Sequence, residues 1–339
     1  MQLDAAVATA GQATACAPYL PRLCGGMRIV RDYQYVEAED RGAAVAIGNF
    51  DGVHRGHQVV IDLARQAAGR IGCPLGVLTF EPHPRRYFAP ESPPFRLMNA
   101  AARAHRLEKL GVDLLYELNF NAALSALGAE AFARDVICGG LGLTHVVVGA
   151  DFRFGKGREG DAEMLGALGR RLGFGVSVAE LVADEKGEFS STSIRNALSD
   201  GRPEDAARML GHWHRIDGQV IRGDQRGREL GYPTTNISIA ELHPPKFGVY
   251  AVLVDVLTGP YAGHYQGAAS IGVRPMFGEN AANLEVFLFD FSGDLYGEEL
   301  SVALVAYQRP EMKFESLDAL VAQMDADCER ARALLAPHV

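Results

Sequence analysis

The sequence predicts an α/β domain with a parallel sheet, followed by a mainly antiparallel β-barrel domain that ends in a C-terminal helix. The length of 339 residues exceeds that of one typical domain. Residues 43–181 alternate buried apolar runs with amphipathic helical patterns, which is typical of a parallel sheet covered by helices. Beyond residue 212, short β-rich runs are separated by Gly, Asn, Asp and Pro, which favours an antiparallel barrel. We place the two domains at residues 27–205 and 206–339.

Strand and helix patterns follow one another regularly in the first domain. Four apolar runs predict buried strands: AAVAIGNF, PLGVLTF, VDLLYEL and HVVVGADF. Three amphipathic patterns predict helices: HQVVIDLARQAAGRIG, RAHRLEKLGV and AEAFARDVICGGLG. Sheets of this kind bind ligands beyond the carboxyl ends of their strands, and the unusual residues of this domain cluster there.

The second domain shows strand patterns first and a helical pattern last. Its predicted strands are RIDGQVIRG, GVYAVLVDVLTG, YQGAASIGV, LEVFLFDF and LSVALVAYQ. The last segment, SLDALVAQMDADCERARALL, has apolar residues at helical spacing and predicts a terminal helix.

Composition and charge restrict the classes of function. Hydrophobic residues make up 48% of the chain and charged residues 22%, which is enough apolar material to bury two cores. The net charge of −9 argues against bulk binding of nucleic acid or of a membrane surface, because both attract basic patches. No apolar run approaches the roughly 20 residues needed to cross a bilayer. We therefore expect small-molecule partners and leave open whether the chain forms a homo-oligomer.

Cysteine usage and the first residues bear on the compartment. The five cysteines are scattered and never form a CxxC pair: Cys16, Cys24, Cys73, Cys138 and Cys328. This pattern favours free thiols in a reducing cytoplasm over a disulfide framework or a zinc site. Residues 1–26 are Ala/Gly-rich without a basic start or a continuous apolar core, so we interpret them as a flexible tail. Met27 is an alternative start.

The strongest signal in the first domain is GNFDGVHRGH at residues 48–57, where a predicted strand gives way to a helix. His54 and His57 are three residues apart at the helix start and therefore lie on one side of its first turn. The glycines of this string let a ligand approach the backbone, whose free N–H groups favour phosphate. Imidazolium or neutral histidine N–H donors can then steady charge that builds on a transferring phosphate. A glycine-rich turn with two surface histidines is the simpler interpretation.

The second domain opens with GQVIRGDQRGRELGYPTTN at residues 218–236. The string lacks the GxxxxGK[ST] pattern of a Walker P-loop. Glycine-rich backbone followed by Thr and Asn can nevertheless cradle phosphates and give oxygen ligands to Mg²⁺, although a plain hairpin is the simpler interpretation. Later, Glu285 stands among apolar neighbours on the predicted strand LEVFLFDF. It is either an exposed edge-strand carboxylate or a base.

Several of these strings resemble a known family, the bacterial bifunctional riboflavin kinase/FAD synthetases. GNFDGVHRGH looks like the first motif of the family's FMN adenylyltransferase domain, which is of the HxGH nucleotidyltransferase type. TFEPHP at 79–84, VVVGADFRFGKGREGD at 146–161 and SSTSIR at 190–195 follow in the family's order. The string that ends at residue 236 resembles the kinase signature GRxLGxPTAN, with Thr235 in place of alanine. The resemblance implies that ATP is used to make FMN from riboflavin and FAD from FMN.

The resemblance also implies residue roles in adenylyl transfer. His54 and His57 would contact the ATP phosphates and stabilise the transition state for attack by the FMN phosphate. Hydroxyls and a guanidinium at a helix start would hold the triphosphate, in addition to capping the helix: Ser191, Thr192 and Arg195. The nucleotide site would further include Gly48, Asn49, Phe50, Asp51 and Asp151, the last standing where many relatives carry asparagine. Within TFEPHP, His83 belongs either to a rigid flap or to a structural turn.

For the kinase reaction, the resemblance matches Glu285 to the base that takes the proton from the riboflavin 5′-hydroxyl. Thr234 and Asn236 would bind Mg²⁺ and the ATP phosphates. The glycine-rich string would contribute further nucleotide contacts from Gly223, Gly227 and Arg228. Met276 and Phe287 replace a threonine and a histidine of many relatives, yet the base and metal ligands are retained. We therefore expect an active kinase.

Two other functions compete with this interpretation. A different nucleotidyltransferase, acting on pantetheine phosphate or glycerol phosphate, would suit the HxGH site but would leave the β-rich domain without a purpose. A non-catalytic flavin-binding protein is the second alternative. The intact histidine pair and Glu285 argue against it.

Overall fold

The computed structural model describes residues 26–180, 183–184, 187–222, 231–276 and 279–338. Residues 1–25 of the expected tail lie outside this part of the chain. So do three of the predicted nucleotide-binding residues: Gly223, Gly227 and Arg228.

A six-stranded parallel sheet forms the centre of the first half. The strands of this half are β1 (Arg28–Val30), β2 (Ala44–Ile47), β3 (Leu75–Glu81), β4 (Leu114–Asn119), β5 (His145–Gly149), β6 (Arg153–Phe154), β7 (Gly160–Asp161), β8 (Gly175–Ala179), β9 (Ala183–Asp184) and β10 (Gly187–Glu188). The main sheet has the order β1-β4-β3-β2-β5-β8, and its neighbouring strands pair in parallel. Two antiparallel pairs, β6 with β7 and β9 with β10, lie outside it. The predicted parallel sheet is confirmed.

Helices connect these strands. They are α1 (Arg55–Ile71), α2 (Pro84–Phe88), α3 (Ala100–Lys109), α4 (Ala122–Ser125), α5 (Ala129–Ala131), α6 (Ala162–Leu172), α7 (Ser191–Ser199) and α8 (Pro203–Leu210). Short 3-10 helices cover Ala38–Asp40 and Lys156–Arg158. The helix predicted from AEAFARDVICGGLG exists, but it continues from α5 as a π-helix over Phe132–Gly140. Apolar spacing over so few residues does not distinguish the wider π turn from an α turn.

Both faces of the parallel sheet are buried, as the sequence predicts. Val45 and Ile47 of β2 pack on one face, in the cluster that contains residues of the π-helix and α6. Ala44 and Ala46 of the same strand pack on the other face against α1. Successive side chains of a strand point to opposite faces, so a strand covered on both sides reads as a continuous apolar run.

A curled antiparallel sheet forms the second half. Its strands are β11 (His214–Gln219), β12 (Thr234–Ser238), β13 (Gly248–Val256), β14 (Gly263–Met276), β15 (Glu279–Leu288) and β16 (Glu299–Arg309), in the order β11-β16-β13-β14-β15-β12. An isolated antiparallel bridge between Ile221 and Asn236 joins the segment after β11 to β12. The bridge brings the two edge strands together and gives a half-barrel, which confirms the predicted class.

The predicted C-terminal helix, α9 (Leu317–Leu335), covers the outer face of this sheet and is followed by a 3-10 turn at Ala336–His338. Leu335 packs in an apolar cluster with Val305 of β16. Arg309 at the end of β16 donates from Nε to both carboxylate oxygens of the buried Asp327, at 2.9 and 3.0 Å. The helix is therefore held by an apolar contact and by an ion pair.

The two halves are joined by a packed helix pair. Helices α7 and α8 share a buried cluster in which Leu198 and Leu210 meet Leu97 of the first half. Across the junction, Asn99 Nδ2 donates to the carbonyl oxygen of Asp217, at 2.9 Å. Among the described residues, no helix is both long enough and apolar enough to cross a membrane.

A buried guanidinium ties helix α3 to the carboxyl ends of two strands. Arg103 is fully buried, and its Nη2 donates to Oε2 of Glu81 and to Oε2 of Glu117, each at 2.9 Å. Glu117 is itself only 5% exposed. Charges removed from water in this way need their partners, because an uncompensated buried charge is costly.

We expect Arg103→Met to lower the free energy of unfolding by about 3–5 kcal/mol, since it removes the buried partner of Glu117. Arg134→Ala is the matched control, because Arg134 pairs with Asp135 at the surface and its loss should leave stability unchanged within error. Urea unfolding followed by circular dichroism measures both. Equal losses for the two variants would contradict a stabilising role for the buried pair.

Candidate functional site

The loop between β2 and α1 carries the GNFDGVHRGH string and has a strained backbone. Phe50, Gly52 and Val53 have positive φ values of 51°, 89° and 44°. A Cβ atom on Gly52 would lie 2.8 Å from Leu97 Cδ1, so both the conformation and the packing require glycine there. Left-handed backbone is unfavourable for a β-branched residue such as Val53, and it persists only where the surroundings enforce it.

The two histidines of this loop form a stacked pair at the start of α1. His54 is the N-cap, and its Nδ1 accepts a hydrogen bond from the backbone N–H of His57, at 3.3 Å. The ring centroids are 3.7 Å apart with an interplanar angle of 20°. Gly56 makes this possible, because a Cβ atom there would lie 3.1 Å from the His54 ring. Since Nδ1 accepts, the neutral His54 ring carries its hydrogen on Nε2.

Burial keeps both rings neutral. It lowers the pKa of His54 from 6.5 to about 4. The pKa of His57 is lowered well below 6.5, first by burial and then by repulsion from His54 when the His54 ring is protonated. At neutral pH the pair therefore offers N–H donors instead of fixed charges, and a bound anion would favour the imidazolium.

A cavity of about 550 Å³ brings most of the predicted nucleotide residues together. Seven of them line it: Gly48, Asn49, Phe50, His54, His57, Asp151 and Ser191. The N-terminal ends of α1 and α7 both contribute to its wall, through His54 and through Ser190 and Ser191. Unpaired backbone N–H groups at helix N-termini favour phosphate.

Asp51 and Arg195 are not among the lining residues of this cavity. Asp51 is 4% exposed, and its Oδ1 accepts from the backbone N–H of Leu97, at 2.8 Å. Arg195 Nη2 donates to Asp51 Oδ2, at 3.0 Å, and Arg195 Nε donates to the carbonyl oxygen of Phe95. Ser191 Oγ donates to the carbonyl oxygen of Asp51, at 2.8 Å. These contacts fix the loop against α7, whereas Thr192 is exposed and lies outside the cavity lining.

A second cavity, of about 430 Å³, adjoins the first and is largely aromatic. The sequence interpretation did not single out its rings: Phe80, Phe88, Phe120, Phe132, Phe152 and Phe154. The two cavities share Gly48, Asn49 and Phe152. The signal was present in TFEPHP and in VVVGADFRFGKGREGD, whose phenylalanines recur at the ends of strands. Phe120 and Phe132 come from segments without a motif.

His83 lies at the edge of the aromatic cavity as the N-cap of α2 and accepts from the backbone N–H of Arg85, at 3.0 Å. Burial lowers the pKa of His83 to about 4, and the charge of Arg96 adds to this effect. The Arg85 guanidinium lies 4.5 Å from the centre of the Phe95 ring. The TFEPHP segment is therefore both a helix start and one wall of the cavity.

In the second half, three of the predicted kinase residues lie on one face of the curled sheet. Asn236 of β12 lies directly opposite Glu285 of β15, and Thr234 lies two residues before it on the same face. Asn236 is 5% exposed, and its Oδ1 accepts from Nδ2 of Asn283, at 2.8 Å. Thr234 also lines a small cavity next to Pro233 and Asp294.

The donor set here fits a hard cation held jointly with a nucleotide. An amide carbonyl oxygen has two lone pairs, so Asn236 Oδ1 retains one after accepting from Asn283. Oxygen ligands of this kind, completed by phosphate oxygens and water, suit Mg²⁺. Among the described residues, no cluster of three or more His, Cys, Asp or Glu side chains could hold a metal without such a co-ligand.

Two helix N-termini at a cavity in the first half, and oxygen ligands on one sheet face in the second, are typical of two-domain enzymes that use nucleotides. A family model described as FAD synthetase matches residues 36–193, and one described as riboflavin kinase matches residues 210–335. Together these matches cover most of the chain.

Curated relatives match both halves at once. The bifunctional riboflavin kinase/FMN adenylyltransferase of Pseudomonas fluorescens is 42% identical over 92% of this chain and 99% of its own length. The protein of the same description from Escherichia coli K12 is 36% identical, over 90% and 97%. A solved structure, described as a macrolide-efflux protein from Streptococcus pneumoniae, matches with a TM-score of 0.78 and 33% identity, over 90% and 98%. The chain belongs to the family of bifunctional riboflavin kinase/FMN adenylyltransferases.

We expect the His54 ring of the ligand-free protein to titrate near pH 4 instead of 6.5. Added tripolyphosphate should raise this midpoint, because negative charge beside the ring favours the imidazolium. NMR of the histidine ring carbons measures both midpoints, and His54→Gln assigns the signal.

The lowered pKa of His54 also determines how the free energy of unfolding changes with pH. In the unfolded chain His54 takes up a proton near pH 6.5, whereas in the folded chain it does so only near pH 4. Protonation therefore favours the unfolded chain, so the stability that neutral His54 contributes is complete above pH 6.5 and is lost as the pH falls towards 4. The free energy of unfolding should therefore decline less steeply in His54→Gln across this window. Equal pH slopes of the free energy of unfolding in the two proteins, or a His54 titration midpoint near 6.5 in the ligand-free protein, would contradict the burial of the His54 ring.

Proposed function

We propose that the first half transfers AMP from ATP to FMN, which gives FAD and pyrophosphate, and that the second half phosphorylates riboflavin with ATP to give FMN. The observation that carries the first activity is the junction of the two cavities at Gly48, Asn49 and Phe152. One cavity has the histidine pair and two helix starts, and the other has an aromatic lining. FAD formation needs a site for phosphates next to a site for the flavin ring, and the two adjoining cavities offer this pair. We assign residues 27–205 to the adenylyltransferase and residues 206–339 to the kinase.

In adenylyl transfer, an FMN phosphate oxygen attacks the α-phosphorus of ATP, and the bond to the β-phosphate oxygen breaks to release pyrophosphate. The FMN phosphate is already a nucleophile, so no covalent enzyme intermediate is needed. His54 and His57 donate N–H bonds to the phosphate oxygens as charge shifts onto the leaving pyrophosphate. The helix starts at Ser190 and His54 add backbone N–H donors. Positioning and charge stabilisation therefore account for catalysis.

The flavin ring of FMN occupies the aromatic cavity. A planar heteroaromatic ring stacks on or packs edge-to-face against phenylalanine rings, and the cavity volume suits a drug-sized ligand. Arg85, Arg153 and Arg158 also line this cavity. Their charges can pair with the FMN phosphate where the two cavities meet. Asp151, at the edge of the nucleotide cavity, is exposed and can accept hydrogen bonds from the substrates.

In the kinase half, Glu285 accepts the proton of the riboflavin 5′-hydroxyl as that oxygen attacks the γ-phosphorus of ATP and ADP leaves. Thr234 and Asn236 would hold Mg²⁺ together with the nucleotide phosphates, and the bound ion would neutralise charge on those phosphates. Asn283 orients the Asn236 amide through its hydrogen bond, so the oxygen of Asn236 faces a fixed direction. Phe287 packs near α9, in the position where many relatives carry histidine.

The two alternative functions are less well supported. A single-activity nucleotidyltransferase does not explain the riboflavin kinase match over residues 210–335. A flavin-binding protein without catalysis does not explain why the histidine pair retains its stacked geometry beside the nucleotide cavity. Free thiols at Cys73, Cys138 and Cys328 are compatible with reactions in a reducing cytoplasm.

The direct test of this function is a time course with riboflavin, ATP and Mg²⁺. We expect FMN to appear first and FAD to follow, because the product of the kinase is the substrate of the adenylyltransferase. Chromatography with fluorescence detection separates the three flavins. Flavin binding without any product from riboflavin or from added FMN would establish a binding protein instead.

Single substitutions should separate the two activities. We expect His57→Ala to lower kcat/KM for FAD formation by about 100-fold and to leave FMN formation intact, because it removes an N–H donor to the transferring phosphate. Glu285→Ala should have the reverse effect, because it removes the base.

The matched controls are His264→Ala and Glu329→Ala, in which exposed side chains of the same types are removed. Each reaction is assayed alone, from riboflavin for the kinase and from FMN for the adenylyltransferase. Loss of both activities in well-folded His57→Ala would refute the assignment of the two reactions to separate sites.

A further inference from the structure

A segment of the kinase half, Leu242–Lys246, lies against two segments of the adenylyltransferase half. The backbone N–H of His243 donates to the carbonyl oxygen of Arg96, at 2.8 Å, and Leu242 pairs with Arg96 in a parallel bridge. The backbone N–H of Lys246 donates to the carbonyl oxygen of Leu198, at 2.9 Å. The carbonyl of Leu198 is in the last turn of α7, where carbonyl groups accept from residues that follow the helix, as this one does from Gly201. The kinase half therefore helps to cap this helix.

The side chain of His243 makes a second contact with α7. Its Nε2 lies 3.1 Å from the carbonyl oxygen of Arg195 and 2.9 Å from Oγ of Ser199. A carbonyl oxygen only accepts, so Nε2 carries the hydrogen and shares it between these two oxygens. The ring is half-buried at the junction, where the bond is partly shielded from water.

The two segments that His243 contacts are the two that hold Asp51. Leu97, which follows Arg96, donates its backbone N–H to Asp51 Oδ1, and the guanidinium of Arg195 donates to Asp51 Oδ2. One residue of the kinase half thus bonds, through its backbone and its ring, to both neighbours of the buried carboxylate. Asp51 in turn lies in the strained loop that carries the histidine pair.

We propose that His243 is a positioning residue for adenylyl transfer, contributed by the kinase half. Its Nε2–H holds α7 in the register that lets Arg195 and Ser191 fix the loop beside the nucleotide cavity. His243 is not among the residues that line either cavity of the first half. Its effect is therefore on geometry, and misplacement of reacting groups by about 1 Å can cost up to about 100-fold in rate. This inference rests on the proposed function of the first half.

Two substitutions of His243 that differ in how far their hydrogen-bond donor extends can distinguish a positioning role from general stabilisation of the fold. A glutamine amide nitrogen reaches the place of histidine Nε2, whereas an asparagine amide nitrogen reaches only the place of Nδ1. Both variants are polar, keep the backbone bond to Arg96 and fit the same space. We expect His243→Gln to retain FAD formation within about twofold and His243→Asn to lower its kcat/KM by about tenfold. Both variants should phosphorylate riboflavin at the parental rate.

The matched control is His105→Asn. His105 also lies at the junction, where its Nδ1 is 3.7 Å from Oδ2 of Asp217, but within the described part of the chain it makes no hydrogen bond to α7. It should leave both activities unchanged within about twofold. Steady-state rates of FAD formation with ATP and FMN varied, rates of FMN formation, and melting temperatures are measured on all full-length variants.

Selective loss of FAD formation in His243→Asn, with recovery in His243→Gln, supports the proposal. Equal FAD formation in these two variants would overturn it, and so would a parallel fall of both activities that follows the melting temperature. If the parental chain itself forms no FAD from FMN, the proposed function fails, and the role of His243 in adenylyl transfer fails with it.

Discussion

The proposed nucleotide site depends on one buried carboxylate, that of Asp51. The loop that contains it has left-handed backbone at Phe50 and Val53, and such conformations cost on the order of 1–3 kcal/mol each. Charge-assisted hydrogen bonds from Arg195 and from the Leu97 backbone offset that cost and hold the loop in this conformation. The loop conformation sets the direction from which α1 begins, and with it the stacking of His54 on His57. Without the carboxylate, the strain would favour a relaxed loop and a dispersed histidine pair.

Neutral histidines at this site fit the electrostatics of the whole chain. The net charge is −9, so long-range attraction does not bring ATP to the protein. Attraction must be local, from the N-terminal ends of α1 and α7 and from arginines at the cavity edges. Rings that are neutral in the free protein avoid the desolvation cost of buried positive charge. Negative charge beside the rings favours the imidazolium form, so we expect them to gain positive charge when an anionic substrate binds.

The sequence predicted the fold and many of the residues that line the first cavity, because both are local in the chain. Apolar runs such as that of β2 and the helical spacing of α1 and α9 are periodic over consecutive residues, and the HxGH string lies in one loop. Other features depend on residues far apart. The aromatic cavity joins Phe80 to Phe120, and β1 is a strand of three residues without a strong pattern. Arg195 was assigned to the triphosphate from its motif, whereas the structure pairs it with Asp51, a contact across 144 positions.

The connection between the halves decides whether they can influence each other. A flexible linker would let each half sample many orientations, and a contact such as that of His243 with Arg195 would then be rarely formed. Here the connection is the packed pair α7 and α8, with Leu198 and Leu210 in a common buried cluster. Helix α7 begins at the wall of the 550 Å³ cavity and also packs in the cluster that joins the two halves. Any displacement of the kinase half must therefore move α7 or break its C-terminal bonds, and both would reach the loop that holds the histidines.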